Sequence, residues 1–176
     1  MKYPYATIER LMERFGPELG GDYTRYKNHV YRVFSYCCLM DTDPANEEKY
    51  AVAAVFHDIG IWTDHTFDYL GPSIAQVNFY LNAAGHPEWT EEVSMMIYWH
   101  HKLSGYKGRY QTLVENFRRA DWIDVSLGLL AFSTDKSRIT QIRSRFPNAG
   151  FHLFLLKQSA RNFIQHPFNP LPVFKR

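Results

Sequence analysis

The sequence predicts an all-α protein, a single-domain helical bundle of about seven or eight helices. Apolar residues recur three or four apart along nearly the whole chain, whereas alternation of period two over a strand's length is hard to find. The 176 residues suffice for one full hydrophobic core and are short for two. With 45% hydrophobic and 22% charged residues, the composition is that of an ordinary globular protein.

A first short helix runs from about Ala6 to Phe15 and breaks at GPELGGD, where glycines and a proline interrupt it. Asp22 is placed to cap a second helix. In it Tyr26, His29, Val30, Val33, Cys37 and Met40 share one face, while Arg25, Lys27 and Arg32 fall mainly elsewhere, so His29 points inward. MDTDPANEEKY is a turn and a new start, with Asp43 before Pro44 as the cap and Glu47 and Glu48 in the first turn.

The third helix carries Ala51 to Phe56 and delivers His57-Asp58, with Gly60 supplying its end. Residues 59–71 read as an ordered loop. PSIAQVNFYLNAAG is a fourth helix closed by Gly85, and PEWTEEVSMMIYWHH a fifth. The loop KLSGYKGRY leads into a sixth, QTLVENFRRADWIDVSLGLL, which brings Asp121 to the side of Phe117. Two more helices, about 136–145 and 149–165, precede a proline-rich tail, HPFNPLPVFKR, expected to pack as an extended arm or to fray. The core of the domain spans about 22–130, and 131–176 add the last helices and the tail.

Several function classes lose support. A net charge of +2 argues for neither nucleic acid nor an anionic membrane. The longest apolar runs, AVAAVF and FHLFLL, fall far below the roughly 18 residues of a membrane span. The N-terminus carries acidic residues where a signal peptide has its apolar region, so the cytoplasm is the expected compartment. The only cysteines, Cys37 and Cys38, are adjacent, poorly placed for a disulfide or a zinc thiolate pair, and are read as reduced core residues.

Taken singly, His29, His57, Asp58 and Asp121 each have a structural explanation: a hydrogen-bonded core histidine, a helix end, a buried acceptor. Together they ask for more. Burying carboxylates and imidazoles against apolar walls costs several kcal/mol unless they pair or hold a cation, and one shared metal resolves all four costs. Adjacent residues on a helix diverge by roughly 100°, so His57 and Asp58 can aim at one ion most easily where the helix ends.

The order His29, then His57-Asp58, then Asp121 resembles the H…HD…D pattern of the HD superfamily of metal-dependent hydrolases. The contexts YKNHVYRVF, AAVFHDIG, IYWHH and ADWID are similar to that family's four segments, over about residues 22–130. The resemblance implies an HD-type helical bundle with His29, His57, Asp58 and Asp121 as ligands of a divalent metal ion. An all nitrogen-and-oxygen set suits Mn, Fe, Co, Ni, Mg or a catalytic Zn, and open coordination positions supply an activated water. One ion per chain is expected. Branches with two ions add histidines, and His100 and His101 can supply part of that set; Tyr69 aligns where such members place another histidine, and Lys107 stands where their glycine-tyrosine motif has proline.

The resemblance further implies a small-molecule substrate, and phosphoester hydrolysis, on a nucleotide or other small phosphoester, is the family's commonest chemistry. Arg25, Lys102, Lys107, Arg109, Arg118 and Arg119 are the candidate phosphate-binding cations, with Arg32 read as structural. HTFDYLGPSIAQVNFYLNAAG is also similar to the cyanamide hydratase-like branch, where hydroxide adds to a nitrile and no phosphate clamp is needed. In either chemistry Asp68 or Asp64 is a candidate general base, with His101 as a further candidate facing the substrate. His65 and His86 lie in predicted loops. A third reading is a metal-binding signalling or adaptor protein with little turnover: Trp62, Trp89, Trp99 and Trp122 are read as core and pocket wall, with a binding surface or homodimer interface as the alternative.

Overall fold

In the computed structural model, which describes residues 3–165, the helices follow in the order α1 (Ala6–Arg14), α2 (Gly16–Leu19), α3 (Tyr23–Met40), α4 (Pro44–Phe56), α5 (Gly60–Thr63), α6 (Leu70–Ala83), α7 (Thr90–Trp99), α8 (Gln111–Val125), α9 (Lys136–Arg145) and α10 (Phe151–Gln165). Eight of these make one all-helical domain without strands among the described residues, and α2 and α5 are single turns. The tail from 166 onward lies outside the described residues. None of the described helices is long and apolar enough to cross a membrane.

Helix α4 explains the architecture. Its run YAVAAVF is apolar on every side, the pattern of a helix buried all round. Tyr50 to Phe56 are buried without a break, and the small Ala51, Ala53 and Ala54 let neighbours approach closely. Helices α1, α3, α6, α7 and α8 pack around it. Helix α3 lies against α4 on one side and α8 on the other, and α7 bridges α6 and α8. The C-terminal ends of α4 and α7 thereby meet the first half of α3 and the last turns of α8 in the interior.

The ends of the helices are set by local chemistry. Asp43 caps α4, its carboxylate accepting from the Ala45 N–H at 2.9 Å, with Pro44 in the first turn. Gly85, at φ +80°, closes α6 in a Schellman arrangement: His86 N–H donates to Leu81 O and Gly85 N–H to Asn82 O. Asp22 does not cap α3 as expected. Its carboxylate instead accepts from Trp62 Nε1 at 2.9 Å and pairs with Arg25 at 3.2 Å, tying α5 to the start of α3.

Three further expectations are corrected. The segment after His57-Asp58 is not wholly loop, since Gly60–Thr63 form the turn α5 with Gly60, Ile61 and Trp62 buried. Nor does Gly60 end α4; the helix stops at Phe56, and residues 57–59 make the turn. Gly60 matters for space, because a Cβ there would stand 2.7 Å from Tyr69 O, and its N–H donates to Ser73 Oγ. The predicted sixth helix stops early, at Val125, and 126–130 form a turn.

Candidate metal centre

His57 and His100 occupy equivalent places. Each is the residue just after an apolar helix, α4 or α7, still with helical backbone angles. Each turns its ring back on that helix: His57 Nδ1–H donates to Ala54 O at 2.8 Å, and His100 Nδ1–H to Ile97 O at 2.5 Å. A carbonyl only accepts, so both rings carry the proton on Nδ1 and present Nε2 as a lone pair. The same bonds satisfy carbonyls that a helix end leaves without partners.

His29 is fixed from the other side. On α3 it lies fully buried, its Nδ1–H donating to Asp124 Oδ2 at 2.7 Å and its ring stacked on Phe151 of α10 at 4.1 Å between centroids. Asp124 is held in turn by a fork from Arg32, at 2.5 and 2.8 Å, and Arg32 also donates to Phe146 O. This carboxylate–histidine arrangement is the partner geometry that orients metal-binding imidazoles. Arg32 therefore serves the site through Asp124, which refines its reading as a structural residue.

The four residues named from the sequence as ligands meet here. His29 Nε2 and His57 Nε2 are 2.9 Å apart, and Asp58 Oδ2 lies 3.6 and 3.4 Å from them. Asp121 Oδ1 stands slightly farther out, at 3.7 and 3.8 Å. Two donors bound side by side to one ion at about 2.0–2.2 Å would be roughly 2.8–3.6 Å apart. The cluster can hold a metal ion, with His29, His57 and Asp58 forming a compact buried triad.

Two observations fit an ion. The facing nitrogens of His29 and His57 both carry lone pairs when neutral, so their 2.9 Å approach requires a cation or a proton between them. Burial lowers the proton affinity of His29, but hydrogen bonds to Asp124 and Asp58 outweigh it and raise the pKa to about 9. Burial, with the neighbouring His29 and His100, drives His57 down to about 3 despite Asp58. Without an ion, one proton on His29 Nε2 thus spans the gap. Moreover, Asp58 Oδ1 and His100 Nε2 are buried with no hydrogen-bond partner and stand 3.4 Å apart. Burial lowers the proton affinity of His100, but Asp58 and Asp121 outweigh it and raise its pKa, so this gap too calls for a cation or a proton.

The carboxylates are tuned in opposite senses. Asp58 is pushed up by burial but held well below the ordinary range by His57, His100 and His29. Asp121 is raised, its burial outweighing the attraction of His100 and His29. Asp58 also belongs to a second group, with His100 and His101, its Oδ1 toward His100. The end of α7 at Trp99 lets both of these adjacent histidines face inward. His101 sets Nδ1 3.6 Å from Asp121 Oδ2, while its Nε2 and the Tyr69 hydroxyl are 2.5 Å apart.

A chamber of about 270 Å³ opens onto His101 and Asp121, walled by Phe67, Tyr69, Trp122, Val125, Leu155 and Leu156. The larger cavity, about 780 Å³ between α3 and α9, is lined by none of the ligand residues.

Other candidates sit elsewhere. Asp64 is exposed and accepts from Thr63 Oγ1 and Gln76 Nε2; Asp68 is exposed after a turn in which its N–H donates to Thr66 Oγ1. Neither carboxylate lines the chamber, which corrects their expected place beside the ion, because α5 and the loop after it turn both outward. His65 lines a neighbouring recess, and His86 is stacked on Trp89 at the surface. None of the six candidate cations lines the chamber. Arg118 forks onto Glu115, Arg119 and Arg109 pair with Glu115 and Glu91, and Arg25 with Asp22.

Sequence reasoning missed Asp124 as the partner of His29, and missed the pairing of Tyr69 with His101, although it named His101 as a candidate facing the substrate. Asp124 falls three residues after Asp121 and so shares its helix face, and Arg32 falls three after His29; that double spacing was the available signal. Compared with protein-family models, curated proteins and solved structures, the chain matches none.

Proposed function

We propose that this protein is a metal-dependent hydrolase of the kind its HD-like residue order resembles. The observation that carries the reading is the convergence of His29, His57 and Asp58 as buried acceptors at ligand-to-ligand distances, with Asp121 slightly farther out beside them. When bound, a divalent ion supplies a Lewis acid and a water acidified toward neutral pH. Asp124 and Arg32 position His29, while Ala54 O positions His57.

At the chamber floor His101 Nδ1 is the group placed to take or give a proton. The Tyr69 hydroxyl both donates and accepts, so it serves either tautomer of His101. Leu155, Leu156 and Trp122 give the mouth of the chamber an apolar lining. We retain a small phosphoester as the substrate class. The absence of lysine and arginine from the chamber favours a monoester over a polyphosphate, and also supports the nitrile-hydrating alternative, which needs no phosphate clamp.

A second reading concerns the ion count. One ion on His29, His57, Asp58 and Asp121 leaves His100 Nε2 and Asp58 Oδ1 orphaned, whereas a second ion on Asp58, His100 and His101 engages both. Elemental analysis of the purified protein tests both readings. His57→Ala and Asp58→Ala, checked for helicity by circular dichroism, should lose metal and metal-stimulated hydrolysis of aryl phosphates. His100→Ala should lower a count of two to one, or leave a count of one unchanged. Stoichiometric metal retained in both the His57 and Asp58 variants would refute the assignment, and hydration of a nitrile with no phosphatase activity would select the alternative.

A further inference from the structure

The surroundings of the centre specify the substrate beyond its scissile bond, an inference that rests on the hydrolase reading. Beside the chamber lies a second recess of about 300 Å³, and Phe67 belongs to the walls of both. Helix α10 runs along the pair. Its Leu155, Leu156 and Ser159 face the chamber, and its Gln158, Arg161 and Asn162 face the recess. One helix thus presents an apolar surface next to the metal centre and a polar, cationic one a turn farther on.

The two compartments differ in what they can desolvate. In the chamber, His152 and Ser159 are the polar groups away from the metal-centre side, and no lysine or arginine stands there. A ribose or a phosphate chain would trade most of its water for Phe67, Trp122, Val125, Leu155 and Leu156, leaving most of its hydroxyls and charges without partners. An aryl or branched alkyl group loses nothing there and gains burial. In the recess, Arg161 is exposed and has no acidic side chain paired with it among the described residues. His65, Thr66 and Gln158 surround it with further hydrogen-bonding groups. A guanidinium so placed suits a planar carboxylate, which it can bind through two parallel hydrogen bonds.

We propose that the substrate is an elongated amphipathic molecule: its scissile end at the metal centre, a compact aryl or alkyl body in the chamber, and one carboxylate in the recess on Arg161. Nucleotides are poor substrates on this account.

The test pairs a reaction with a binding measurement on the metal-loaded full chain. Phosphatase activity is compared on 3-(4-phosphonooxyphenyl)propionate, phenyl phosphate and AMP, and binding of unreactive 3-phenylpropionate is followed by calorimetry. The carboxylate-bearing ester should have the lowest KM. Arg161→Ala should raise that KM about 10–100-fold with kcat unchanged, the loss expected for a charge-assisted hydrogen bond that binds ground and transition states alike. It should weaken 3-phenylpropionate to the same degree and leave phenyl phosphate unaffected; Lys27→Ala, which removes the partner of Glu9, should change none of these.

If no ester is hydrolysed but 3-phenylpropionate still binds through Arg161, the hydrolase reading fails while the assignment of the recess stands. If AMP is the best substrate, or 3-phenylpropionate fails to bind or binds equally to Arg161→Ala, the proposal is overturned and the hydrolase reading survives on the activity alone.

Discussion

Asp124→Asn tests whether metal binding at the candidate centre depends on a residue that stands outside the cluster of ligand candidates. Asp124 is fully buried, and its two oxygens accept from His29 Nδ1 at 2.7 Å and from Arg32 at 2.5 and 2.8 Å. The amide retains the shape but removes the charge, and its NH₂ faces a donor, either His29 or Arg32. Breaking a buried ion pair from one side costs about 3–5 kcal/mol, because the other charge stays buried and unpaired. For a chain of this length each kcal/mol moves Tm by about 2–4 °C, so the apo protein should melt about 6–20 °C lower. Metal affinity should fall about 10–100-fold, as when the partner of a ligating imidazole is removed. Thermal melts and competitive chelator titrations measure the two effects. The double variant Arg32→Met/Asp124→Leu separates them, since an apolar pair of similar size should recover much of the Tm but none of the affinity. Metal binding in Asp124→Asn as tight as in the wild type would refute the positioning role, whatever happened to Tm.

Two other outcomes follow from the same coordinates. His29 has its pKa raised to about 9 in the ion-free fold against about 6.5 unfolded, so its contribution to stability is fully present below about pH 6.5 and lost as pH rises through 9. His57, depressed to about 3, is neutral when folded but about half protonated when unfolded at about pH 6.5, so it offsets a little of this at the lower end and drops out above about pH 7.5, where it is neutral in both states. Urea unfolding should therefore show apo stability falling from pH 6.5 to 9 and the metal-loaded protein changing less, because the ion takes the place of the proton; parallel curves would contradict this. Separately, Gly60→Ala should lower Tm through overpacking of about 1–3 kcal/mol, since the new methyl meets the Tyr69 carbonyl and the contact can be relieved only by moving backbone. An unchanged melting curve would show that α5 and the start of α6 are free to separate.

Much of the helical order was legible because burial and period agree. Helix α4 reads as a wholly buried helix from YAVAAVF alone, and His29 falls on the inward face of α3 by spacing alone. The four converging residues were legible through their position at or on apolar helices. What the sequence did not disclose depends on contacts between distant segments. Asp64 and Asp68 are near His57-Asp58 in the chain, yet α5 turns them to solvent, a reversal fixed by Gly60 against Tyr69 and by Trp62 against Asp22. Arg118 and Arg119 looked available as phosphate ligands, although the predicted sixth helix already set Glu115 three and four residues before them, the spacing at which the structure pairs them.

Adjacent ligands at His57-Asp58 and at His100-His101 share one physical origin. Within a helix, neighbours diverge by roughly 100° and cannot both meet one small cluster. At a helix end the last carbonyls lack N–H partners, and a histidine there can donate Nδ1–H to the carbonyl three residues back, as His57 does to Ala54 and His100 to Ile97. That bond stabilises the helix end and fixes the tautomer that leaves Nε2 as an inward lone pair. It also frees the next residue, Asp58 or His101, from the helical path, so that its side chain enters the same space. The fold thus builds the centre from two apolar helices that end in the same way around it. The cost of collecting so many acceptors is met locally by the bonds on each Nδ1, and the orphaned Asp58 Oδ1 and His100 Nε2 mark the part of that cost left for a cation, or a proton on His100, to remove.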